Sequence, residues 1–151
     1  MKLFLLRHGD AASYGEGGER PLTPLGLEQT RRIVAEAANG LNAVESVYSS
    51  PKLRARQTAE AAVDAAQLGL QPQVVEQLLP GADINALRAV IGGSEHNSVL
   101  LVTHQPLVGK LLDYLTDRSD LGYQMGTSCL ACLDVTGFAC GGATLQWLKQ
   151  P

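Results

Sequence analysis

Short apolar runs that alternate with helix-forming segments are the feature that most restricts how this chain can fold. Residues 2–6 (KLFLL) and 98–103 (SVLLVT) are almost continuously apolar, which is typical of strands buried on both faces of a parallel sheet. Parallel neighbours need a crossover connection, usually a helix, so the alternation predicts βαβ units with helices on both faces of the sheet. The other predicted strands span residues 45–49, 73–76, 128–135 and 143–149.

Start signals predict a helix in each of the longer segments between these strands. The Thr-Pro pair at residues 23–24 and the Ser-Pro pair at 50–51 each combine an N-cap with proline at the first helical position. Asp83 is a third candidate cap, and Gly40 is placed to end the first helix. The predicted helices span residues 24–39, 51–68, 84–92 and 105–117. One face of the second helix carries small residues that can pack closely against the sheet: Thr58, Ala61, Ala62, Ala65 and Leu68.

The last two strands are joined by a glycine-rich loop, residues 136–142 (TGFACGG). Such a loop favours a β-hairpin, so one of the two strands should run antiparallel to the rest of the sheet. No internal repeat or linker divides the chain. The sequence therefore predicts an α/β fold in one domain, residues 1–151: a three-layer αβα sandwich with a mostly parallel sheet and one antiparallel strand.

Charge and hydropathy argue against several classes of partner. The formal net charge is −3, so no overall basic field draws the chain to nucleic acid or to an anionic membrane. No segment approaches the roughly 18 apolar residues of a membrane span, and the first apolar run is too short for the core of a signal peptide. We therefore expect a cytoplasmic protein that binds neither nucleic acid nor a membrane.

The three cysteines do not predict a disulfide framework, because their number is odd. Cys129 and Cys132 have the spacing of a redox or metal-binding pair, but they lie in a predicted strand. Residues three apart in a strand point to opposite faces of the sheet. We therefore interpret both as small packed side chains.

Polar and charged residues follow three of the predicted strands at the point where each strand ends. Residues 7–9 (RHG) follow the first strand, residues 49–54 (SSPKLR) follow the second, and His104 follows residues 98–103. Because ligands of open α/β sheets bind beyond the carboxyl ends of the strands, we expect these side chains to converge. The third histidine, His96, lies in a polar loop and is interpreted as a surface residue.

Three cations, Lys52, Arg54 and Arg56, lie in the first turns of the second predicted helix. The helix dipole disfavours positive charge there, whereas the free backbone N–H groups favour an anion. A bound anion would account for the cations; side chains that reach into solvent are the alternative. Arg54 and Arg56 point about 200° apart around a helix, so at most one faces the site, and Arg54 shares its face with Thr58.

Three motifs occur in the order RHG (residues 7–9), SSPKLRARQTAE (49–60) and LLVTHQPLVG (100–109). With them the chain resembles the histidine phosphatase superfamily. The details VTHQPLVG and ERPLTPLG (residues 19–26) resemble most closely its SixA-type phosphohistidine phosphatase branch. The resemblance spans nearly the whole chain and implies a phosphoglycerate mutase-like fold.

The resemblance implies a role for each of five residues. His8 corresponds to the nucleophile, Arg7 to its phosphate-binding neighbour and Arg54 to a second phosphate clamp. His104 corresponds to the second histidine of the pocket. Arg20 corresponds to a less uniform arginine aimed at phosphate, and a solvated loop arginine is the alternative for it. The implied function is a phosphohistidine phosphatase that acts on a phosphohistidine-bearing protein, such as a phosphorelay component.

The chemistry of these residue types agrees with such roles. A neutral imidazole attacks phosphorus readily, and a covalent intermediate on His8 divides one hard step into two. Neighbouring cations disfavour protonated His8, and the guanidinium groups of Arg7 and Arg54 offer planar donors to phosphoryl oxygens. Gly9 would let the backbone approach the phosphate closely. The reaction needs no metal or other cofactor, and no cluster of carboxylates is placed to hold a metal.

The general acid is less evident. Larger relatives such as phosphoglycerate mutases take a glutamate from an inserted segment, which is short here and offers Glu76 and Asp83 as candidates. Asp83 has an alternative role as a helix cap. The imidazole of a phosphohistidine leaves more readily than an alkoxide, so the lack of an obvious acid favours phosphohistidine. The alternatives are a broad-specificity small-molecule phosphatase and a non-catalytic phosphate-binding adaptor.

Overall fold

The computed structural model describes residues 1–92 and 95–151, with the exception of the Glu16 side chain. The strands are β1 Lys2–Arg7, β2 Ser46–Ser49, β3 Gln73–Val74, β4 Ser98–Thr103, β5 Leu130–Val135 and β6 Ala143–Lys149. The helices are α1 Pro24–Glu36, α2 Ala38–Leu41, α3 Leu53–Ala65, α4 Leu87–Gly92 and α5 Leu107–Thr116. Short 3-10 turns occur at Glu16–Gly18, Glu76–Leu78, Ile84–Ala86 and Gly122–Gln124.

The strands form one mixed sheet in the order β3-β2-β4-β1-β5-β6. Strands β3, β2, β4 and β1 are parallel, whereas β5 pairs antiparallel with both β1 and β6. Strand β5 is therefore the antiparallel strand that the hairpin signal predicted. The predicted α/β fold class is confirmed.

The sheet separates two apolar cores, and β1 contributes to both because its side chains alternate between the faces. Leu3 and Leu5 pack with α4 and α5 on one face, while Phe4 and Leu6 pack with α1 and α3 on the other. All four side chains are at most 1% exposed. A strand held on both sides in this way fixes the position of the residues that follow it.

The two candidate ligand cysteines lie on opposite sides of the sheet, as the strand spacing predicted. Cys129 belongs to the core that contains α5, and Cys132 to the core that contains α1 and α3. Both are free and buried.

Two of the predicted helix-terminal residues, Gly40 and Ser50, do not have the predicted role. Thr23 is the N-cap of α1, since its hydroxyl accepts the Gly26 N–H at 3.0 Å. Gly40 does not end that helix: α1 ends at Glu36, and Gly40 lies inside the short helix α2, which carries Leu41 into the core. Ser50 does not cap α3, which begins at Leu53, because the Ser50 hydroxyl lies against His104.

The packed face of α3 is also shifted from the predicted one. Ala55 and Ala59 are buried together with Thr58, Ala61 and Ala62, whereas Ala65 and Leu68 are only partly buried. The buried residues of α3 all lie between positions 55 and 62, so the end of the helix packs less deeply than its middle. None of the helices in the described parts of the chain is long and apolar enough to cross a membrane.

Candidate active site

Strand register brings the two histidines of the predicted site together. Arg7 of β1 pairs with Thr103 of β4, so the two strands end side by side. The backbone N–H of His8 then donates to the Thr103 carbonyl at 2.9 Å. As a result the imidazole rings of His8 and His104 lie 5.0 Å apart, measured between ring centroids.

Hydrogen bonds fix the tautomer of His8. The carbonyl of Gly9 lies 2.8 Å from His8 Nδ1 and can only accept, so Nδ1 carries the proton. The Arg54 Nε–H donates to His8 Nε2 at 3.3 Å, which makes Nε2 an acceptor with an available lone pair. The ring is buried, so its orientation is fixed by protein contacts on both nitrogen atoms.

Both histidines of the site are held neutral. Burial, together with the charges of Arg54, Arg7 and Arg20, lowers the pKa of His8 to about 4; its hydrogen bond to Gly9 opposes this shift. Burial also lowers the pKa of His104 to about 3, assisted by His8, Arg54, Lys52 and Arg7. At neutral pH His8 Nε2 is therefore an unprotonated nitrogen surrounded by cations.

Ser50, which the sequence indicated only as a helix cap, contacts His104 and orients its ring. The Lys52 backbone N–H donates to the Ser50 hydroxyl at 3.2 Å, so the hydroxyl proton remains available for His104 Nε2 at 2.7 Å. When the hydroxyl donates to Nε2, the single N–H proton of neutral His104 is on Nδ1. Nδ1 is buried and has no hydrogen-bond partner within the described residues. In the sequence Ser50 precedes Pro51, a pattern typical of a helix cap, and this pattern gives no indication of a contact with His104.

Thr58 links the strand that carries His8 to the helix that carries Arg54. Its hydroxyl accepts the Gly9 N–H at 3.0 Å and donates to the Arg54 carbonyl at 2.7 Å. The hydroxyl is fully buried. The Thr58 side chain therefore sets the spacing between the segment that carries His8 and the helix that carries Arg54.

Gly9 is required for a different reason from the one predicted. A Cβ there would lie 2.9 Å from the Gly26 carbonyl and 3.0 Å from Thr30 Oγ1. The missing side chain therefore allows close packing of the loop on helix α1, and that contact holds the residue after His8 in place.

The remaining predicted cations surround the two histidines. One amino group of Arg7 donates to the Met125 carbonyl at 3.2 Å, while its Nε is buried without a partner in the described chain. Arg20 is exposed, and its Nε donates to the Ala12 carbonyl at 3.0 Å. Its charge still reaches the pocket, since it lowers the pKa of both His8 and Arg54.

Neither candidate general acid contacts the histidines. Asp83 is exposed and caps a 3-10 turn, because its carboxylate accepts the Asn85 N–H at 2.9 Å. Glu76 is exposed at the start of another turn. No carboxylate is among the described groups that shift the pKa of His8 or His104. The described residues also contain no group of three or more His, Cys, Asp or Glu side chains that could hold a metal ion.

Comparison with known sequences identifies the family that the motifs resemble. The model of the histidine phosphatase superfamily (branch 1) matches residues 3–79. Phosphohistidine phosphatase SixA of Escherichia coli (strain K12) is 32% identical over 155 aligned residues, which cover 100% of this chain and 94% of that protein. An uncharacterized protein of Picosynechococcus sp. is 41% identical over 117 residues, which cover 73% of this chain and 70% of that protein.

Comparison with solved structures gives the same result. The structure of the protein histidine phosphatase SixA complexed with tungstate superposes with a TM-score of 0.84 and 32% sequence identity, covering 100% of this chain and 97% of that one. A phosphoserine phosphatase mutant from Entamoeba histolytica shares the fold, with a TM-score of 0.71 at 17% identity.

Proposed function

This chain belongs to the histidine phosphatase superfamily, and we propose that it removes the phosphoryl group from a phosphohistidine on a protein, by way of a phospho-His8 intermediate. One observation carries the proposal. His8 presents a neutral, unprotonated Nε2 among several cations, and no described carboxylate shifts its pKa. Such a site attracts an anionic phosphoryl group and supplies the atom that attacks it.

The reaction takes place in two displacements. In the first, the lone pair of His8 Nε2 forms a bond to phosphorus while the bond from phosphorus to the substrate imidazole breaks. The leaving nitrogen keeps the electron pair, and because the substrate ring carries a proton on its other nitrogen, it leaves as neutral imidazole. In the second, water attacks the phosphoryl group on His8, which releases inorganic phosphate and restores the neutral ring.

The proposed phosphate-binding groups stabilise charge on the equatorial oxygens. Arg7 and Arg54 supply guanidinium donors, His104 Nδ1–H supplies a neutral one, and the exposed Arg20 adds its positive charge. Donors that are already oriented in a buried pocket need no rearrangement as charge develops, so each can contribute a factor of about 10² to 10³ in rate.

The lack of a carboxylate beside the histidines favours a phosphohistidine over a phosphate ester. Expulsion of an alkoxide needs a strong acid to protonate the leaving oxygen, whereas an imidazole leaves as a much weaker base. Glu76 and Asp83 stay predictions as proton donors. A sugar or glycerate phosphate would need one of them to move to the pocket.

The similar proteins support the same substrate class. The Escherichia coli relative is named a phosphohistidine phosphatase, and the superposed SixA structure holds tungstate, a tetrahedral oxyanion with the shape of phosphate. We infer a phosphohistidine-bearing protein, such as a phosphorelay component, as the partner, and the cytoplasm as the location.

Rates on matched substrates test this function. Hydrolysis is measured for a phosphohistidine protein or peptide and for sugar phosphates, with His8→Ala (H8A) as background. We expect kcat/KM for phosphohistidine to exceed that for the esters by about 10²-fold or more, because hydrolysis of an ester without a general acid is slower by about that factor. Equal or higher rates on the esters would favour the small-molecule phosphatase. Binding of phosphohistidine without turnover would identify the adaptor.

A further inference from the structure

A small cavity opens beside the proposed phosphoryl site, at the start of helix α3. Its volume is about 200 Å³, and it is lined by Gly18, Glu19, Arg20, Lys52, Leu53 and Arg54. Arg20 and Arg54 are shared with the phosphoryl site. Lys52 has no role in the two displacements described above.

The cations around this region exceed what the phosphoryl group needs. Four of them lower the pKa of His8 or His104: Arg7, Arg20, Lys52 and Arg54. A phosphoryl group carries a charge of about −2 at neutral pH. Binding it therefore leaves about two positive charges without a counterion, and the cavity side, with Arg20 and Lys52, is where they lie.

No carboxylate of the described chain supplies that counterion. Glu19 lines the cavity, but its carboxylate pairs with Arg56 at 3.7 Å. No ion pair or side-chain hydrogen bond of Lys52 occurs in residues 1–92 and 95–151. Lys52 is also the N-cap residue of the 13-residue helix α3, where the helix dipole disfavours a cation.

We propose that this cavity is a second anion subsite, which binds an acidic side chain of the substrate protein next to its phosphohistidine. The proposal rests on the proposed function and adds that the enzyme prefers substrates with an acidic side chain near the phosphohistidine. The Lys52 ammonium and the Arg20 guanidinium take the carboxylate, while Arg7, Arg54 and the two histidines hold the phosphoryl group. The carboxylate is tethered to the phosphohistidine, so its local concentration is high without tight binding of its own.

Paired peptides test the subsite. Two sets of phosphohistidine peptides carry Glu or Gln at one position within four residues of the phosphohistidine, and kcat/KM is measured for each. At one or more positions we expect Glu to raise kcat/KM about fivefold over Gln, which is the size of a partly exposed ion pair. Because the pair is partly exposed, the preference should decrease as salt is added.

Matched lysine variants separate the subsite from general electrostatics. In Lys52→Gln the ratio of Glu to Gln rates should fall to below about twofold, as the ion pair is lost. In Lys110→Gln the ratio should persist. Lys110 is an exposed cation that lines a separate hollow on the other side of Arg7. Binding of the same peptides to H8A, followed by fluorescence anisotropy, gives the preference without turnover.

The outcomes are distinct. Hydrolysis of both peptide sets at equal rates, or equal loss of preference in the two lysine variants, would overturn the subsite and leave the proposed function intact. If no peptide or protein phosphohistidine is hydrolysed at all, the proposed function is wrong and the subsite falls with it.

Discussion

The amino ends and the carboxyl ends of the central strands differ in how their charged side chains are partnered. At the amino ends, acidic groups have partners on the surface: Asp134 lies 2.6 Å from Lys2, and Glu45 lies 3.1 Å from His96, with each side chain about half exposed. At the carboxyl ends His8 and His104 are buried, and within residues 1–92 and 95–151 the charged side chains that shift their pKa are cations.

This difference identifies which end is built for a ligand. Exposed ion pairs add little to stability, about 0–1 kcal/mol each, so the amino ends lose little if one pair is removed. At the carboxyl ends, several cations lie near two neutral imidazole rings. Their mutual repulsion is unfavourable, and a bound anion would relieve it. The amino-end residues therefore provide matched controls for the active-site variants.

The largest expected effect comes from the histidine pair His8 and His96. H8A removes the attacking nitrogen and should lower kcat on a phosphohistidine peptide by about 10⁴-fold or more. His96→Ala should keep the rate within about twofold, because His96 is a partly exposed side chain beside Glu45, at the opposite end of the sheet from His8. Stopped-flow or quench assays of phosphate release measure both. A rate for H8A close to wild type would remove His8 from the mechanism.

The next effect concerns the two arginines of α3. Arg54→Lys keeps the charge but loses the planar donor that meets His8 Nε2, and we expect kcat/KM to fall about 10²- to 10³-fold. In Arg56→Lys the rate should change by less than about twofold, because Arg56 bonds to the Pro51 carbonyl and to Glu19 instead of the pocket. An unchanged rate in Arg54→Lys would mean that charge, and not donor geometry, is what the site needs, and an equal loss in Arg56→Lys would mean that the effect is not specific to the pocket.

A smaller effect separates two buried serines. Ser50→Ala leaves His104 Nε2 without its partner, so we expect about tenfold lower kcat and about 1–3 kcal/mol lower free energy of unfolding. Nitrogen NMR shifts should show that the Nδ1–H tautomer of His104 is no longer dominant. Ser98 is buried at the amino ends, and its hydroxyl has no partner among the described residues. Ser98→Ala should leave the free energy of unfolding unchanged or raise it. A loss of activity in this variant would contradict the conclusion that the amino ends of the strands take no part in the reaction.

The smallest effect is on pH dependence. Because the pKa of His8 is lowered to about 4, the free enzyme should keep Nε2 unprotonated as the pH falls well below 6. Nitrogen NMR titration of His8 should give a midpoint near that value. Arg54→Gln should raise the midpoint, because it removes a cation and exposes the His8 ring more to solvent, and both changes raise the pKa of His8. A wild-type midpoint near the ordinary histidine value would show that burial does not hold the ring neutral.

Much of the site could be predicted from local sequence. The apolar runs before Arg7 and His104 indicated buried parallel strands, and parallel strands end at a common edge. Helical geometry separated Arg54 from Arg56, and the strand period separated Cys129 from Cys132. The placements of the two arginines and the two cysteines agree with the structure because each depends on the periodicity of one element, whereas the convergence of Arg7 and His104 follows from the parallel pairing of their strands.

Ser50, Thr58 and Gly9 could not be assigned in this way. Each depends on which residue of another element lies opposite: His104 for Ser50, the Gly9 N–H for Thr58, and helix α1 for Gly9. A serine before proline predicts a cap whether or not an imidazole lies nearby. Non-local register, which the sequence of one segment does not contain, decides such cases.

Trapping of the phosphorylated enzyme is the sharpest test of the phospho-His8 intermediate. A phosphohistidine protein with a radiolabelled phosphoryl group is mixed with wild type, quenched in alkali within milliseconds, and digested for peptide mapping. Acid-labile, alkali-stable label on the peptide that contains His8, absent in H8A, is the expected result. Full release of labelled phosphate with no label on the wild-type chain at any time, or equal labelling of H8A, would contradict the account.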